Sequence, residues 1–389
     1  MAHPLRAAAG ITGIGETPVG ELPGSSALSL MEDAALAALD DAGLAVADLD
    51  GLVTSRSMVA PLHRAAVILA ERLGMTPELF ATLEAGGATS LQMLNYALTA
   101  IGAGRARHLL CVAGDNLLTG LSRDLAVQAM AENADAEFEV PFGTFPPAAY
   151  ALAARAHMHA YGTTAEQLAE VAVAARAWAA LNPAAQMRQP LDLAQVLAAK
   201  RVAEPLGLND CALVSDGGGA FVVSEPSAAA ALARPPIWIL GAAEAAGHEY
   251  ITRAPDLTSF ASALAGRRAF AMAGCRPDEV DLAQIYDCFS ITPIITLEDL
   301  GFCGKGEGGA FIEGGRTGPG GDFPMNSHGG LLSHAHPGKP GGIFHLTEAL
   351  RQLRGDAGRR QVAGAELAVV TGVGGMFSAH ATAILGAAR

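Results

Sequence analysis

The chain has 389 residues, of which 51% are hydrophobic and 16% charged, so it can bury a large core and is not an intrinsically disordered protein. Its formal net charge of −14, with no basic run, argues against nucleic acid or an anionic membrane as a partner. With 46 glycines and only 5% aromatic residues, the composition favours an α/β enzyme over an all-β or coiled-coil protein.

The cysteines and the apolar segments indicate where the protein works. Five cysteines, odd in number and far apart, form no C-x-x-C, which argues against a disulfide framework and a zinc finger: Cys111, Cys211, Cys275, Cys288 and Cys303. No stretch reaches about 18 uninterrupted apolar residues, and glycines interrupt the apolar start of the chain. We therefore expect a soluble, cytoplasmic protein that is neither exported nor bound to a membrane.

The first predicted elements occur twice along the chain. After a short strand in A-A-A-G-I-T-G-I-G-E, apolar spacing of three and four predicts a helix from about residue 27 to 42, ended by Gly43. The phrase D-A-G-L-A-V-A-D-L-D-G-L-V-T that follows is related to M-A-G-C-R-P-D-E-V-D-L-A-Q-I-Y-D in the second half. Both phrases indicate a helix, a turn and a strand.

A second repeated unit is a helix led by glycines and followed by a buried strand. It begins with G-G-A-T-S-L-Q in the first half and with P-G-G-I-F-H-L in the second. A duplicated α/β unit explains both pairs, although chance similarity between Ala/Gly-rich helices remains an alternative. Strands that alternate with helices predict mostly parallel pairing.

These repeats predict the domain organisation. The first half would comprise residues 1–115 and 211–230, and the second half residues 231–389. Residues 116–210 lack alternating strand patterns and are expected to form an insertion of helices and loops, the best candidate for a lid over the site. A Thr164–Gln167 capping box is predicted to start one of its helices.

Four loops concentrate the chemistry. Three of them collect polar groups in apolar surroundings, namely Y-D-C-F-S (286–290), N-S-H-G-G-L-L-S-H-A-H-P-G (326–338) and T-G-V-G-G-M-F-S (371–378). The fourth is E-A-G-G-A-T-S (84–90), which leads into a buried helix. Because function in α/β sheets gathers at the carboxyl ends of strands, we expect the three polar loops to lie there.

In these loops and in further motifs the chain resembles the thiolase superfamily, closest to the sterol-carrier-protein-type thiolases and their lipid-transfer-protein-like relatives. The further motifs are H-M-H-A-Y-G-T-T, N-P-A-A, A-E-P-L-G-L-N-D-C-A-L-V-S-D-G-G-G-A, E-D-L-G-F-C-G-K-G-E-G-G and Q-L-R-G-D-A-G-R-R-Q-V. The resemblance runs nearly end to end. It implies a thiolase fold, with duplicated βαβαβαββ halves in an α-β-α-β-α layered core, a homodimer and acyl-CoA substrates.

The resemblance also implies roles for the four loops. Such thiolases carry a nucleophilic Cys at the start of the first buried helix, and here that position falls on Gly87, within about one residue. The motif H-D-C-F becomes Y-D-C-F, which keeps Cys288 and puts Tyr286 in place of His. The motif G-H-P becomes A-H-P and keeps His336, while Gly374 is the best match for a backbone donor in the last loop. A glycine at position 87 cannot form an acyl-enzyme.

Each candidate has an alternative interpretation. His336 and the secondary candidate His334 are two of four histidines within 18 residues, some of which must be structural, and no carboxylate or Cys completes a metal-ligand spacing there. Tyr286 could be a packed aromatic and Cys288 a buried thiol. Asp287 is expected to anchor its loop.

The hydroxyl residues after Gly87 are open to two interpretations. Thr89 or Ser90 could replace the nucleophile, but a hydroxyl in a glycine-rich turn more often caps the next helix, and we expect that here. The backbone N–H at Gly87 can still stabilise an oxyanion at a helix start. The missing side chain is expected to open space beside the bond to be broken.

The expected reaction is therefore retro-aldol or aldol chemistry on a β-hydroxyacyl-CoA without an acyl-enzyme. Tyr286 would serve as base or oxyanion donor, His336 as donor to the thioester oxygen and Cys288 as proton donor to the enolate carbon. An acyltransferase that uses Ser90 or a partner's group, and a non-catalytic acyl-CoA-binding subunit, remain alternatives. No metal or redox cofactor is expected, and the residues that meet the CoA phosphates cannot be assigned. The resemblance also implies a small zinc-ribbon/OB-fold partner in a heterotetramer.

Overall fold

The computed structural model describes residues 3–131 and 133–389. The strands are β1 (Gly10–Glu16), β2 (Gly51–Ser55), β3 (Leu79–Leu83), β4 (His108–Asn116), β5 (Arg201–Ala203), β6 (Leu206–Gly207), β7 (Asp216–Ser224), β8 (Ile237–Ala246), β9 (Leu282–Gln284), β10 (Leu367–Gly374) and β11 (Ala379–Gly386). The α-helices are α1 (Ala27–Ala42), α2 (Ala65–Leu73), α3 (Thr89–Gly102), α4 (Leu117–Gly120), α5 (Arg123–Ala131), α6 (Pro146–Tyr161), α7 (Ala165–Leu181), α8 (Leu193–Leu197), α9 (Pro226–Ala230), α10 (Ser262–Ala273), α11 (Ile291–Leu300), α12 (Gly308–Ile312) and α13 (Gly341–Arg354).

Helix α1 shows how the sequence builds these elements. It has the predicted bounds, because the Ser26 side chain accepts a hydrogen bond from a backbone N–H of the first turn and Gly43 ends the helix at φ 69°. Its alanine face packs on β1, β4 and β7. A Cβ at Gly15 or Gly218 would overlap backbone atoms of α1, so these strand glycines permit the close approach.

The main sheet repeats one topology. Its strand order is β3-β2-β4-β7-β1-β8-β11-β10-β9, and the two halves meet in the sheet where Gly10 and Ile11 pair with Trp238 and Ile237. In each half the first strand pairs antiparallel with the last, the last pairs antiparallel with the fourth, and the fourth pairs parallel with the second. Met325, which bridges in parallel to Ala283, takes the place that β3 has in the first half. The predicted duplication is confirmed. The expectation of mostly parallel pairing is wrong, because the last strand of each half runs antiparallel to both of its neighbours and the halves also meet through an antiparallel pair.

Helices form three layers around the two halves of the sheet. Helix α1 covers the outer face of the first half and α10 that of the second, while α3 and α13 lie between and contact strands of both halves. Helix α13 is buried along nearly its whole length although it carries His345, Glu348 and Gln352. The middle layer therefore has an unusually polar interior next to α13.

Residues 116–210 contain α4 to α8 and the short β5–β6 hairpin. The Thr164–Gln167 capping box is present at the start of α7. The T-G-V-G-G-M-F-S loop differs from the expectation, because β10 continues through Gly374 and only the following residues turn into β11. The domain boundaries and the lid role of the insertion stay predictions. None of the described helices is long and apolar enough to cross a membrane.

Candidate active site

Two glycine turns meet where the first and second halves of the chain touch. Residues Gly86–Ala88 form a 3-10 turn that leads into α3, with Gly86 at φ 55°. A Cβ at Gly86 would lie 2.8 Å from the backbone nitrogen of Gly375, and a Cβ at Gly374 would overlap the carbonyl oxygen of Ala85. The turns can approach this closely only because neither carries a side chain. Gly374 is thus at the predicted place, and its role as a backbone donor stays a prediction.

Tyr286 fills the space beside Gly87. A Cβ atom at position 87 would overlap the phenol oxygen and Cζ of Tyr286, and also the carbonyl oxygen of Val373. The expectation that the missing side chain opens space beside the reacting bond is therefore wrong, because the phenol takes that volume. The hydroxyl group of Tyr286 therefore occupies the volume that a side chain at position 87 would take, where the sequence resemblance predicts the thiolase nucleophile.

The phenol of Tyr286 is hydrogen-bonded to His336, with 3.1 Å between Oη and Nε2. Both backbone nitrogens are fixed by hydroxyl groups, since Tyr286 donates to Thr371 Oγ1 at 3.0 Å and His336 donates to Ser215 Oγ at 3.0 Å. The sequence analysis missed Thr371 and Ser215. Thr371 lies within β10 and Ser215 directly precedes β7, and in the sequence each is a hydroxyl that follows apolar residues, which is the one signal that could have pointed to them.

Burial keeps this pair uncharged. It raises the pKa of the Tyr286 phenol well above its ordinary range, with smaller contributions from Cys288 and Asp287. It lowers the pKa of His336 to about 4, although the nearby Asp287 counteracts the shift. At neutral pH the pair is a neutral phenol and a neutral imidazole, so a proton can pass between them in either direction.

Cys288 lies two residues beyond Tyr286 in a buried position. Its Sγ is 3.6 Å from the hydroxyl of Thr292, in the first turn of α11. Burial raises the pKa of the Cys288 thiol to about 11, so the thiol is protonated at neutral pH. A protonated thiol can give a proton to carbon but is a poor nucleophile.

Asp287 holds the loop that carries His336. It is fully buried and accepts hydrogen bonds from the backbone N–H groups of Leu331 at 2.8 Å and Leu332 at 3.5 Å. A Cβ at Gly330 would overlap the Asp287 carboxylate, so a glycine is needed there. This geometry is what the expected anchoring role requires.

The two hydroxyl residues after Gly87 are engaged with backbone. Thr89 Oγ1 accepts from the Ala85 N–H at 2.9 Å and donates to the Gly86 carbonyl at 2.6 Å, while Ser90 Oγ donates to the Lys339 carbonyl at 3.1 Å. The expectation that one of them caps α3 is wrong, because the N-cap residue is Ala88 and it makes no side-chain bond. They brace the turn and tie it to the loop after His336.

His334 does not join Tyr286 and His336. Its Nδ1 is 3.3 Å from Asn182 Nδ2, and the side chain lines a cleft of about 430 Å³ together with Glu16 and Arg351. Within residues 3–131 and 133–389, no group of three or more His, Cys, Asp or Glu side chains is arranged to hold a metal ion.

Tyr150 is a further residue that the sequence did not single out. It lies on α6, and its hydroxyl donates to the Gly375 carbonyl at 3.0 Å. Its ring packs 4.4 Å from both Phe289 and Phe377, measured between centroids. Aromatic rings therefore border the polar groups of the candidate site on the side that faces residues 116–210.

Comparisons with known proteins agree with this architecture. Residues 243–387 match the family described as Thiolase C-terminal domain-like. Over 94% of this chain, the sequence is 36% identical to the acetyl-CoA acetyltransferase of Methanothermobacter thermautotrophicus, of which 96% is covered. It is 35% identical, over 94% of this chain and 96% of the relative, to the 17-hydroxy-3-oxo-4-pregnene-20-carboxyl-CoA lyase of Mycobacterium tuberculosis.

A solved structure described as Ltp2-ChsH2(DUF35) aldolase superposes with a TM-score of 0.88 at 34% identity, covering 99% of both chains. These relatives are matched over nearly their whole lengths, so the likeness includes both halves of the fold and residues 116–210. The chain belongs to the thiolase superfamily, and within it to the branch of sterol-carrier-protein-type thiolases.

Proposed function

We propose that this enzyme cleaves, or in reverse forms, the bond between the α and β carbons of a β-hydroxyacyl-CoA by aldol chemistry without a covalent acyl-enzyme. The observation that carries the proposal is the Tyr286 phenol, which occupies the volume of a side chain at position 87 and is hydrogen-bonded to His336. An acid–base pair stands where acyl transfer would need a thiolate. The names of the lyase and aldolase relatives support the same reaction class.

The proton steps follow from the uncharged state of the pair. The phenol oxygen takes the proton of the substrate's β-hydroxyl while the phenol proton passes to Nε2 of His336, and the Cα–Cβ bond breaks to give a ketone or aldehyde and a thioester enolate. Backbone amides near Gly87 and Gly374 stabilise the enolate oxygen. The Cys288 thiol then gives its proton to Cα. His336 releases one proton to solvent and the Cys288 thiolate takes one up, so the protons balance and one turnover leaves the site unchanged.

An acyltransferase is the second candidate, favoured by the 36% identity to an acetyl-CoA acetyltransferase. That reaction needs a nucleophile, and the available hydroxyls of Thr89 and Ser90 are hydrogen-bonded to backbone carbonyls. A non-catalytic acyl-CoA-binding role would give no reason for a buried Tyr286–His336 pair. We therefore place the aldolase first.

We also propose two kinds of assembly. A small zinc-ribbon/OB-fold protein would complete the CoA site, supported by the DUF35 component named in the similar aldolase structure. A homodimer is supported by β3, an edge strand of the main sheet on which Phe80 is 55% exposed. Light scattering of the purified chain, alone and co-expressed with such a partner, measures both.

Product analysis tests the function. The purified protein, alone and with the co-expressed partner, is incubated with a series of β-hydroxyacyl-CoA thioesters that range from short to polycyclic acyl groups. We expect the shortened acyl-CoA and an equimolar ketone or aldehyde by liquid chromatography and mass spectrometry. If no member of the series is cleaved and none is formed from its two products, the aldolase proposal fails.

A further inference from the structure

Three buried histidines lie beyond the groups that the proposed reaction uses. They are His345 on α13 and His328 and His334 in the loop before it, and each is at most 3% exposed. The ring centroids of His345 and His328 are 4.8 Å apart, and those of His328 and His334 are 5.1 Å apart. Three imidazoles are therefore consecutive neighbours inside the middle layer.

This row of imidazoles is continuous with the active site at one end. The ring of His345 lies 5.9 Å from the ring of Tyr286, and its Nε2 is 3.3 Å from Asp287 Oδ1. At the other end, His334 lines the cleft of about 430 Å³ that also contacts Glu16 and Arg351. The row thus joins the buried Tyr286–His336 pair to a cleft at the surface.

The middle of the row has buried polar atoms without satisfactory partners. Within the described part of the chain, neither nitrogen of His328 makes a hydrogen bond, and the contact of His345 with Asp287 lacks hydrogen-bond geometry. Gln284 Oε1, on the neighbouring strand β9, has no partner there either. Buried polar groups are costly unless they are bonded, and buried water molecules typically bond two to four such groups. Water molecules between these side chains would satisfy all of them.

Three buried or partly buried carboxylates border the row, and two of them are paired with arginine. Asp287 faces it from the loop after β9, and Glu348 on α13 is bound to Arg360 at 2.9 Å. At the cleft, Glu16 on β1 is bound to Arg351 of α13 at 2.9 Å. Burial lowers the pKa of His328 well below its ordinary range and that of His334 to about 4. A neutral imidazole has one donor and one acceptor nitrogen, which is what proton transfer along a row requires.

We propose that His345, His328 and His334 form a water-bridged proton relay between the Tyr286–His336 pair and the cleft at Glu16. In each step one imidazole nitrogen accepts a proton while the other nitrogen of the same ring releases one, so no other bond changes. The relay lets the closed active site exchange protons with solvent. Its part in turnover rests on the proposed aldol reaction, whereas the proton exchange itself does not.

Proton exchange can be measured without any substrate. On protein labelled with ¹⁵N-histidine, magnetisation transfer from water gives the exchange rate of the His336 ring proton. We expect His334→Gln, which cannot pass a proton through an imidazole, to slow this exchange about tenfold, and free imidazole in the cleft to restore it. His328→Gln interrupts the middle of the row and is expected to act alike. Circular dichroism verifies that each variant is folded.

The matched control is His108→Gln. His108 is also a buried histidine, hydrogen-bonded to Ser224 within the first half of the sheet, and it is not in the row. Its substitution should leave the exchange of His336 unchanged. If His334→Gln and His328→Gln exchange as fast as wild type, the relay does not exist. A slowing that imidazole does not reverse would also overturn it, because that result indicates a structural effect.

Turnover separates the relay from the proposed function. If wild type cleaves a β-hydroxyacyl-CoA, His334→Gln should lower kcat by up to about tenfold at unchanged KM, less than the ~100-fold or more expected for a direct acid–base group. Imidazole should restore kcat. If wild type cleaves none, the aldol proposal fails while the exchange rates still decide the relay.

Discussion

The two central helices, α3 and α13, hold equivalent places in the two halves of the fold, yet they contribute in opposite ways. Helix α3 follows a glycine turn and begins with hydroxyl residues that bond to backbone, and this segment offers main-chain groups and a volume that Tyr286 fills. Helix α13 and the loops beside it supply the side chains that can carry protons. Duplication gave two similar supports, and in the proposed mechanism the acid–base side chains come from loops of the second half alone.

The difference between the two halves depends most on Tyr286, a residue of the second half whose phenol lies beside Gly87 of the first. Tyr286→Phe keeps the ring beside Gly87 but removes the hydroxyl, so we expect kcat for cleavage to fall by roughly 10²–10⁴-fold with little change in KM. Tyr96→Phe, two turns further along α3, is the control and should keep wild-type kcat. If Tyr286→Phe retains most of the activity, the second half does not carry the acid–base chemistry.

A side chain at position 87 should disrupt the packing of Tyr286 against the first half. Gly87→Cys places atoms where the phenol of Tyr286 and the carbonyl of Val373 already lie, so we expect a loss of about 1–3 kcal/mol in the free energy of unfolding, together with loss of cleavage. Urea denaturation measures the first effect.

Two further variants control this prediction. Gly247→Ala is the matched glycine substitution, because the nearest atom to its Cβ is 3.8 Å away, and it should be nearly neutral. Adding Tyr286→Ala to Gly87→Cys should recover part of the stability, since one of the two overlaps is removed. Wild-type stability of Gly87→Cys alone would contradict the packing described here.

The buried histidines of the second half should make stability depend on pH. Burial lowers the pKa of His334 and His336 to about 4, whereas an unfolded chain takes up these protons near pH 6.5. The free energy of unfolding is therefore highest above about pH 6.5, where both histidines are neutral, and it falls as the pH drops towards 4. The loss for each histidine is up to ~1.4 kcal/mol per unit of difference between its folded and unfolded pKa. Urea midpoints between pH 4 and 8 measure this slope, and His334→Gln should flatten it.

The smallest effect is expected at Ser90 in the first half. Ser90→Ala removes the hydrogen bond to the Lys339 carbonyl and should cost about 1 kcal/mol of stability while kcat changes less than about twofold. Activity that depends on this hydroxyl would instead support the acyltransferase alternative.

The sequence predicted the fold from signals that are local. Helix α1 could be bounded because Ser26 and Gly43 are end signals, and the second copy of the helix–turn–strand phrase revealed the duplication. The place of the three polar loops at the carboxyl ends of strands followed from a general property of α/β sheets.

What the sequence missed depends on contacts between distant residues. Nothing in the local pattern shows that Tyr286 fills the volume beside Gly87, because the two lie in different halves of the chain. Thr89 was expected to cap α3, but the close approach of two glycine turns gives its hydroxyl backbone partners in its own turn. The roles of Tyr286, Cys288 and His336 in catalysis stay predictions until they are measured.

Intact-protein mass spectrometry during a single turnover tests the central claim most directly. Enzyme in excess over a β-hydroxyacyl-CoA is quenched at intervals, and the protein mass and the carbonyl product are measured in the same samples. The account predicts that the ketone or aldehyde appears while the protein mass stays unchanged at every time. A transient mass increase equal to an acyl group, mapped to Thr89 or Ser90, would contradict it.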